Sequence, residues 1–170
     1  IAREAYRNEL YMRISSARSH TIPPTNVSPE RLFSNRNALI SDSSQNYYNG
    51  HCAGMNAGMT DEGGWCVVTV YEASDGAANL CIILRGLDVA SGELIPAYVQ
   101  TNRLLSWANR NYGYRTVLSA GETLDTLRVG MTGISKSKAD VVPSEDLKIY
   151  LPTDLDVEGQ LVYDLVLDGE

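Results

Sequence analysis

Residues 65–71 and 79–84 form two short runs rich in Val, Ile, Leu, Cys and aromatic side chains, and between them stands Ser74-Asp75-Gly76. β-branched and aromatic side chains fit a pleated, half-buried surface, so each run reads as a strand. A tight turn between antiparallel strands needs backbone with positive φ, which the glycine of an Asp-Gly pair adopts without steric cost. This is the strongest hairpin signal in the chain, and any fold for it has to contain that ribbon.

The flanking segments add helices. Apolar Ile1, Ala5, Leu10, Met12 and Ile14 recur loosely at helical spacing and predict one amphipathic helix over residues 1–16. Residues 21–29 hold three of the six prolines and predict an extended loop. A short helix is expected over 29–39, with Ser28 as N-cap and Pro29 at the first helical position. Residues 41–64 are polar and glycine-rich. Pro96 opens a longer helix over about 97–111, with Tyr98, Val99, Leu104, Leu105 and Trp107 among its apolar positions. After Gly113 the texture changes to short β-type runs at 115–118, 123–129, 139–142, 147–151 and 160–167, separated by Gly, Pro, Ser and Asp. The expected class is α+β: an antiparallel sheet with flanking helices over 1–112, then a small all-β domain over 113–170.

Charge narrows the partners. The 170 residues carry a net charge of -7, with 44% hydrophobic and 21% charged side chains, an ordinary soluble globular composition. Lys and Arg are scattered and form no basic stripe, which argues against nucleic acid and against an anionic membrane surface. No apolar run approaches the ~20 residues that span a bilayer. The opening Ile1-Ala2-Arg3-Glu4-Ala5 has no initiator Met and no capping residue, and reads as a cut inside a longer protein.

Metal and nucleophile chemistry finds little support. Cys52, Cys66 and Cys81 give an odd count and no zinc-type pair, and Cys66 and Cys81 lie in apolar runs as expected of buried free thiols. His20 and His51 lack further ligands nearby and read as exposed or hydrogen-bonded structural histidines, so no metal site and no cofactor are expected. Gly50, Gly54 and Gly58 recur every fourth residue in polar surroundings, matching neither a membrane dimer face nor a phosphate loop. They read as turn and strand where backbone passes close to something. Asp61-Glu62 reads as an exposed turn. The acidic residues of the tail, such as Asp154, Asp156 and Glu158, lack calcium-loop spacing and read as a solvated face.

Taken in order, Thr21-Ile22-Pro23-Pro24, Asn35-Arg36-Asn37, Tyr47-Tyr48-Asn49-Gly50, the run from Gly54 to Cys66 and then Leu80-Cys81-Ile82-Ile83-Leu84-Arg85-Gly86 resemble low-molecular-weight penicillin-binding proteins of the D-alanyl-D-alanine carboxypeptidase class. The likeness is most specific over 21–86. It continues through the helix carrying Leu104-Leu105-Ser106-Trp107 and into the β-rich tail, which is similar to the start of that family's appended β domain. The resemblance implies a serine-type hydrolase acting on peptidoglycan stem peptides, open to β-lactams and working outside the cytoplasmic membrane at the cell envelope.

The family uses Ser-x-x-Lys, Ser-x-Asn and Lys-Thr-Gly. Here the third motif is Asn56-Ala57-Gly58; with Thr60, these are the positions the resemblance assigns to the substrate cleft. Losing the ammonium removes a charge-assisted hydrogen bond worth roughly 1.5–3 kcal/mol. The first two motifs are expected upstream of Ile1. Ser135-Lys136-Ser137-Lys138 and Ser44-Gln45-Asn46 match them by chance, in the wrong order along the chain. No catalytic residue is therefore assigned. The chain reads as inactive by itself, either as part of a carboxypeptidase whose nucleophile lies upstream or as a non-catalytic binding or scaffold module. A sheet built only from these strands leaves an edge open, for which pairing with an N-terminal segment or another copy is expected.

Overall fold

The computed structural model describes residues 1–43, 45–86, 94–129 and 137–160, together with 162, 164 and 166. The protein is a mixed α+β chain that divides into two compact units, Ile1–Arg110 and Asn111–Glu170.

The first unit is built on a three-stranded antiparallel sheet in the order β3-β4-β5, where β3 is Cys52–Thr60, β4 Gly64–Glu72 and β5 Ala78–Gly86. The hairpin read from sequence is β4–β5, with Tyr71 opposite Asn79 and Val67 opposite Ile83. Its turn closes where Ala73 N–H donates to Ala77 O at 2.8 Å and Ala77 N–H to Asp75 Oδ1 at 3.0 Å. Gly76 takes φ 86°, the left-handed geometry that the Asp-Gly pair implies. The glycine-spaced segment read as turn and strand is a turn at Gly50 followed by the third strand, β3, which carries Gly54 and Gly58. It ends in a turn through Asp61 and Glu62, both exposed as expected.

One face of this sheet carries the core. Ala57, Val67, Tyr71 and Cys81 pack there against helix α3, Pro96–Asn111, through Ala97, Tyr98 and Leu105, with Leu39 filling the gap at 0% exposure. Here α1 is Ala2–Tyr6, α2 Glu9–Ser15, β1 Ser19–Ile22 and β2 Arg31–Ser34. Alternation along the strands sends Cys66 and Val68 of β4 and Ile82 of β5 to the other face. There Ile82 is 47% exposed. Among the described residues β5 pairs only with β4, so its outer side is an edge.

Three expectations are corrected. The first sixteen residues form two short helices, because Asn8 takes extended backbone and its side chain accepts from Tyr11 N–H at 2.9 Å, capping α2. Neither helix has a buried residue. No helix forms over 29–39. Arg31–Ser34 is instead strand β2, paired register-for-register with β1 from Ser19↔Ser34 to Ile22↔Arg31. Ser28 does not cap; Thr25 Oγ1 accepts from Val27 and Ser28 N–H in the connecting turn. The proline-rich loop is correspondingly shorter than expected, since Thr21 and Ile22 belong to β1.

The second unit pairs β6, Tyr112–Leu118, with β9, Leu147–Pro152, and β7, Asp125–Val129, with β8, Ser137–Val141. A short helix α4, Val157–Gln160, follows. Tyr114 sits opposite Tyr150 with ring centroids 5.5 Å apart, the kind of cross-strand aromatic pair that stabilises a ribbon. No described residue of this unit is buried. The β-type run expected over 160–167 lies mostly outside the described residues.

Candidate functional site

The residues singled out from sequence lie on β3, an edge strand among the described residues. Asn56 and Gly58 stand opposite Val68 and Cys66 of β4, on the face away from α3. Ala57 turns the other way, and its methyl is buried in the core at 6% exposure beside Val67 and Tyr98. The Asn56-Ala57 pair is therefore split: one side chain is offered to solvent and the other is structural. Thr60 is exposed at the strand end, where its hydroxyl accepts from Gly63 N–H at 3.0 Å and fastens the turn into β4. A Cβ added at Gly58 meets nothing within 4 Å, so the space above it is open.

A cleft of about 420 Å³ runs along this strand, lined by Arg36, Asn56, Gly58, Met59, Thr60, Cys66 and Val68 with the backbone of Ala57 and Gly64. Arg36 is the one charged residue of that lining. Its carbonyl accepts from Tyr98 Oη at 2.8 Å. The following Asn37 is fully buried, and its Nδ2 donates to Gly54 O at 2.6 Å. Thr69 Oγ1 donates to the same carbonyl at 2.9 Å. The pairing of β3 with β4 shifts between Ala53 and Asn56, so Gly54 sits in an irregularity of the strand. Gly54 has φ +46°, and a Cβ there would lie 2.6 Å from Ser15 Oγ at the end of α2, which makes glycine necessary for both reasons.

The lining carries one guanidinium, Arg36, and one primary amide, Asn56. A guanidinium binds carboxylate in a two-pronged fashion, and the Asn56 amide both donates and accepts. Among the described residues β3 pairs only with β4, which leaves its outer side an edge, and an exposed sheet edge is a place where an extended peptide can add a strand. No described residue of the lining is a general base, so neither the Thr60 hydroxyl nor the Cys66 thiol has a partner there to activate it. The Cys66 thiol instead donates to Gly63 O at 3.6 Å and accepts from Arg85 N–H at 3.5 Å. It is half-buried rather than buried; Cys81 is buried. Burial pushes the Cys52 thiol up to about 11, partly offset by its hydrogen-bonding contact with Thr69, and burial raises Cys81 as well. Both stay protonated at neutral pH and are poor nucleophiles.

Elsewhere, the His51 ring lies tilted against Tyr71 with centroids 5.1 Å apart and its Nδ1 lies 3.2 Å from Glu72 O, while His20 is exposed on β1. Among the described residues no three His, Cys, Asp or Glu side chains are placed to hold a metal, and no helix is long and apolar enough to cross a membrane. Ser44, Ser135 and Lys136 lie outside the described residues. Sequence reasoning quoted Arg36 only as part of a motif and missed that it lines the cleft. The signal was present: a charged residue between two asparagines whose side chains are natural backbone clamps.

The fold is shared with solved penicillin-binding proteins. A peptidoglycan synthesis regulatory factor (PBP3) from Streptococcus pneumoniae superposes with a TM-score of 0.65 at 15% identity, over 91% of this chain and 40% of that one. Penicillin binding protein 5 from Haemophilus influenzae superposes at 0.51 with 21% identity, over 88% and 38%. At these identities the likeness establishes the fold, and the chain spans about two-fifths of each neighbour's length. No family model and no curated protein matches the sequence.

Proposed function

We propose that this chain binds carboxylate-ended peptides along β3, as the cleft-bearing part of a penicillin-binding-protein-type domain at the cell envelope, and that it does not hydrolyse them by itself. The ligand class is a peptidoglycan stem peptide ending in D-alanyl-D-alanine. What carries the proposal is the placement of Asn56, Gly58 and Thr60 on an exposed strand edge, with Arg36 as the single cation beside them. Arg36 then takes the ligand carboxylate in place of the ammonium lost at Asn56. Gly58 leaves room for the peptide backbone, and Asn56 supplies a neutral hydrogen-bonding amide.

The rival reading is a catalytic half-site completed by a nucleophile and base from another segment; Gly58, retained from the third motif, favours it. Two measurements on the 170-residue chain separate them. Calorimetry with a diacetyl-lysyl-D-alanyl-D-alanine peptide is expected to show reversible binding that an amidated C-terminus weakens. A fluorescent penicillin is expected to leave no covalent adduct on a denaturing gel. Absence of binding removes the proposal. An adduct transfers the assignment to the catalytic reading.

A further inference from the structure

Arg36 is exposed, yet almost everything around it is tied down. Residues 35–39 touch three elements through buried or half-buried polar groups. Asn35 Nδ2 donates to Ser15 O at 2.8 Å and to Ala17 O at 3.0 Å, anchoring the segment to the end of α2, and Asn35 Oδ1 accepts from Asn37 N–H at 2.9 Å. Asn37 Nδ2 reaches the Gly54 carbonyl on β3, and Asn37 Oδ1 accepts from Leu39 N–H at 3.1 Å. Tyr98, 1% exposed on α3, holds the carbonyl of Arg36 itself.

Burying an amide and a phenol is costly unless their hydrogen bonds are met, and an apolar side chain fills such a space at lower cost. Satisfied buried networks fix one backbone arrangement. Here the arrangement fixed is that of the single residue that brings charge to the cleft. The same Gly54 carbonyl is shared by Asn37 and Thr69, so the loop carrying Arg36 is locked to the strand irregularity that immediately precedes Asn56.

We propose that Tyr98 and Asn37 are positioning residues for Arg36: they hold its backbone beside β3 so that an incoming carboxylate meets a guanidinium already in place. The inference rests on the peptide-binding reading for its ligand, and on the clamp geometry alone for the ordering of Arg36. Ordering before the ligand arrives removes part of the entropic cost of binding.

The test has two arms. In the free 170-residue chain, ¹⁵N relaxation is expected to give the Arg36 amide an order parameter near ~0.85, falling below ~0.6 in Tyr98→Phe and in Asn37→Ala. Amides of β4 are expected to keep their values. Tyr98→Phe removes only one oxygen, so it decides the matter even where Asn37→Ala fails to fold. An Arg36 amide that stays equally ordered in Tyr98→Phe overturns the proposal. In the second arm, Tyr98→Phe is expected to weaken binding of the diacetyl-lysyl-D-alanyl-D-alanine peptide about tenfold in the native background and under about twofold in Arg36→Gln, because contacts in one chain of action are non-additive. Equal losses in both backgrounds overturn it as well, since Tyr98 then acts on the sheet as a whole. If the native chain binds no peptide, the functional reading is lost and the relaxation arm alone decides the clamp.

Discussion

The two units are both rich in strands, but they are held together differently. In the first, nine-residue strands share one face with α3, and Leu39, Val67, Tyr98 and Leu105 are exposed by 2% or less. In the second, the described residues form four strands of five to seven residues in two ribbons, and no described side chain is buried. Isolated two-stranded ribbons are marginal in water, whereas a three-stranded sheet packed on a helix is not. Strand content is therefore a poor guide to stability. What matters is whether alternate side chains find a second layer.

The sharpest way to break this contrast is to cut into each unit. Leu39→Ala removes a side chain at 0% exposure and is expected to cost about 2–5 kcal/mol in urea denaturation. Ile149→Ala, at 39% exposure in the second unit, is expected to cost under about 1 kcal/mol. Equal losses would show that the second unit has a core after all. Next in size is Gly54→Ala. Its positive φ and the contact with Ser15 Oγ predict a loss of about 1–3 kcal/mol, with α2 loosened from β3, which hydrogen exchange along residues 9–16 would report.

Arg36→Gln is expected to leave the melting temperature unchanged while weakening the D-alanyl-D-alanine peptide by roughly 10- to 150-fold, the worth of one hydrogen bond to a charged group. A fall in stability of that size would mean Arg36 is structural. The smallest effect concerns pH. The folded Cys52 pKa of about 11 lies above its ordinary value of 9.0, so its contribution is intact below pH 9 and is lost as pH rises from 9 through 11. Cys52→Ser is expected to flatten that alkaline decline in the first unit; an unchanged profile would assign it to other groups.

Much of the first unit was legible in the chain. The Asp75-Gly76 turn between two apolar runs yielded β4–β5, and Pro96 marked the start of α3, because both signals are local: a required φ and a missing N–H. Glycine spacing led to β3, since backbone approach leaves a mark in composition. Less was visible around the site. Residues 29–39 have the propensities of a short helix, yet Arg31–Ser34 pairs with Ser19–Ile22, a contact that no window of sequence contains. Asn8 split the first helix through a capping bond that periodicity does not see.

By itself the sequence determined the class of the fold and the ribbon at its centre, and it singled out Asn56 and Ala57. Only the tertiary structure decided that Ala57 faces the core while Asn56 faces the cleft, and that Arg36 stands beside them. The reason is that side-chain direction follows from the register shift between Ala53 and Asn56, and that shift is held by Asn37 and Thr69, which lie 17 and 15 residues away from Gly54. Hydrogen bonds at that separation are written in space rather than in any local pattern.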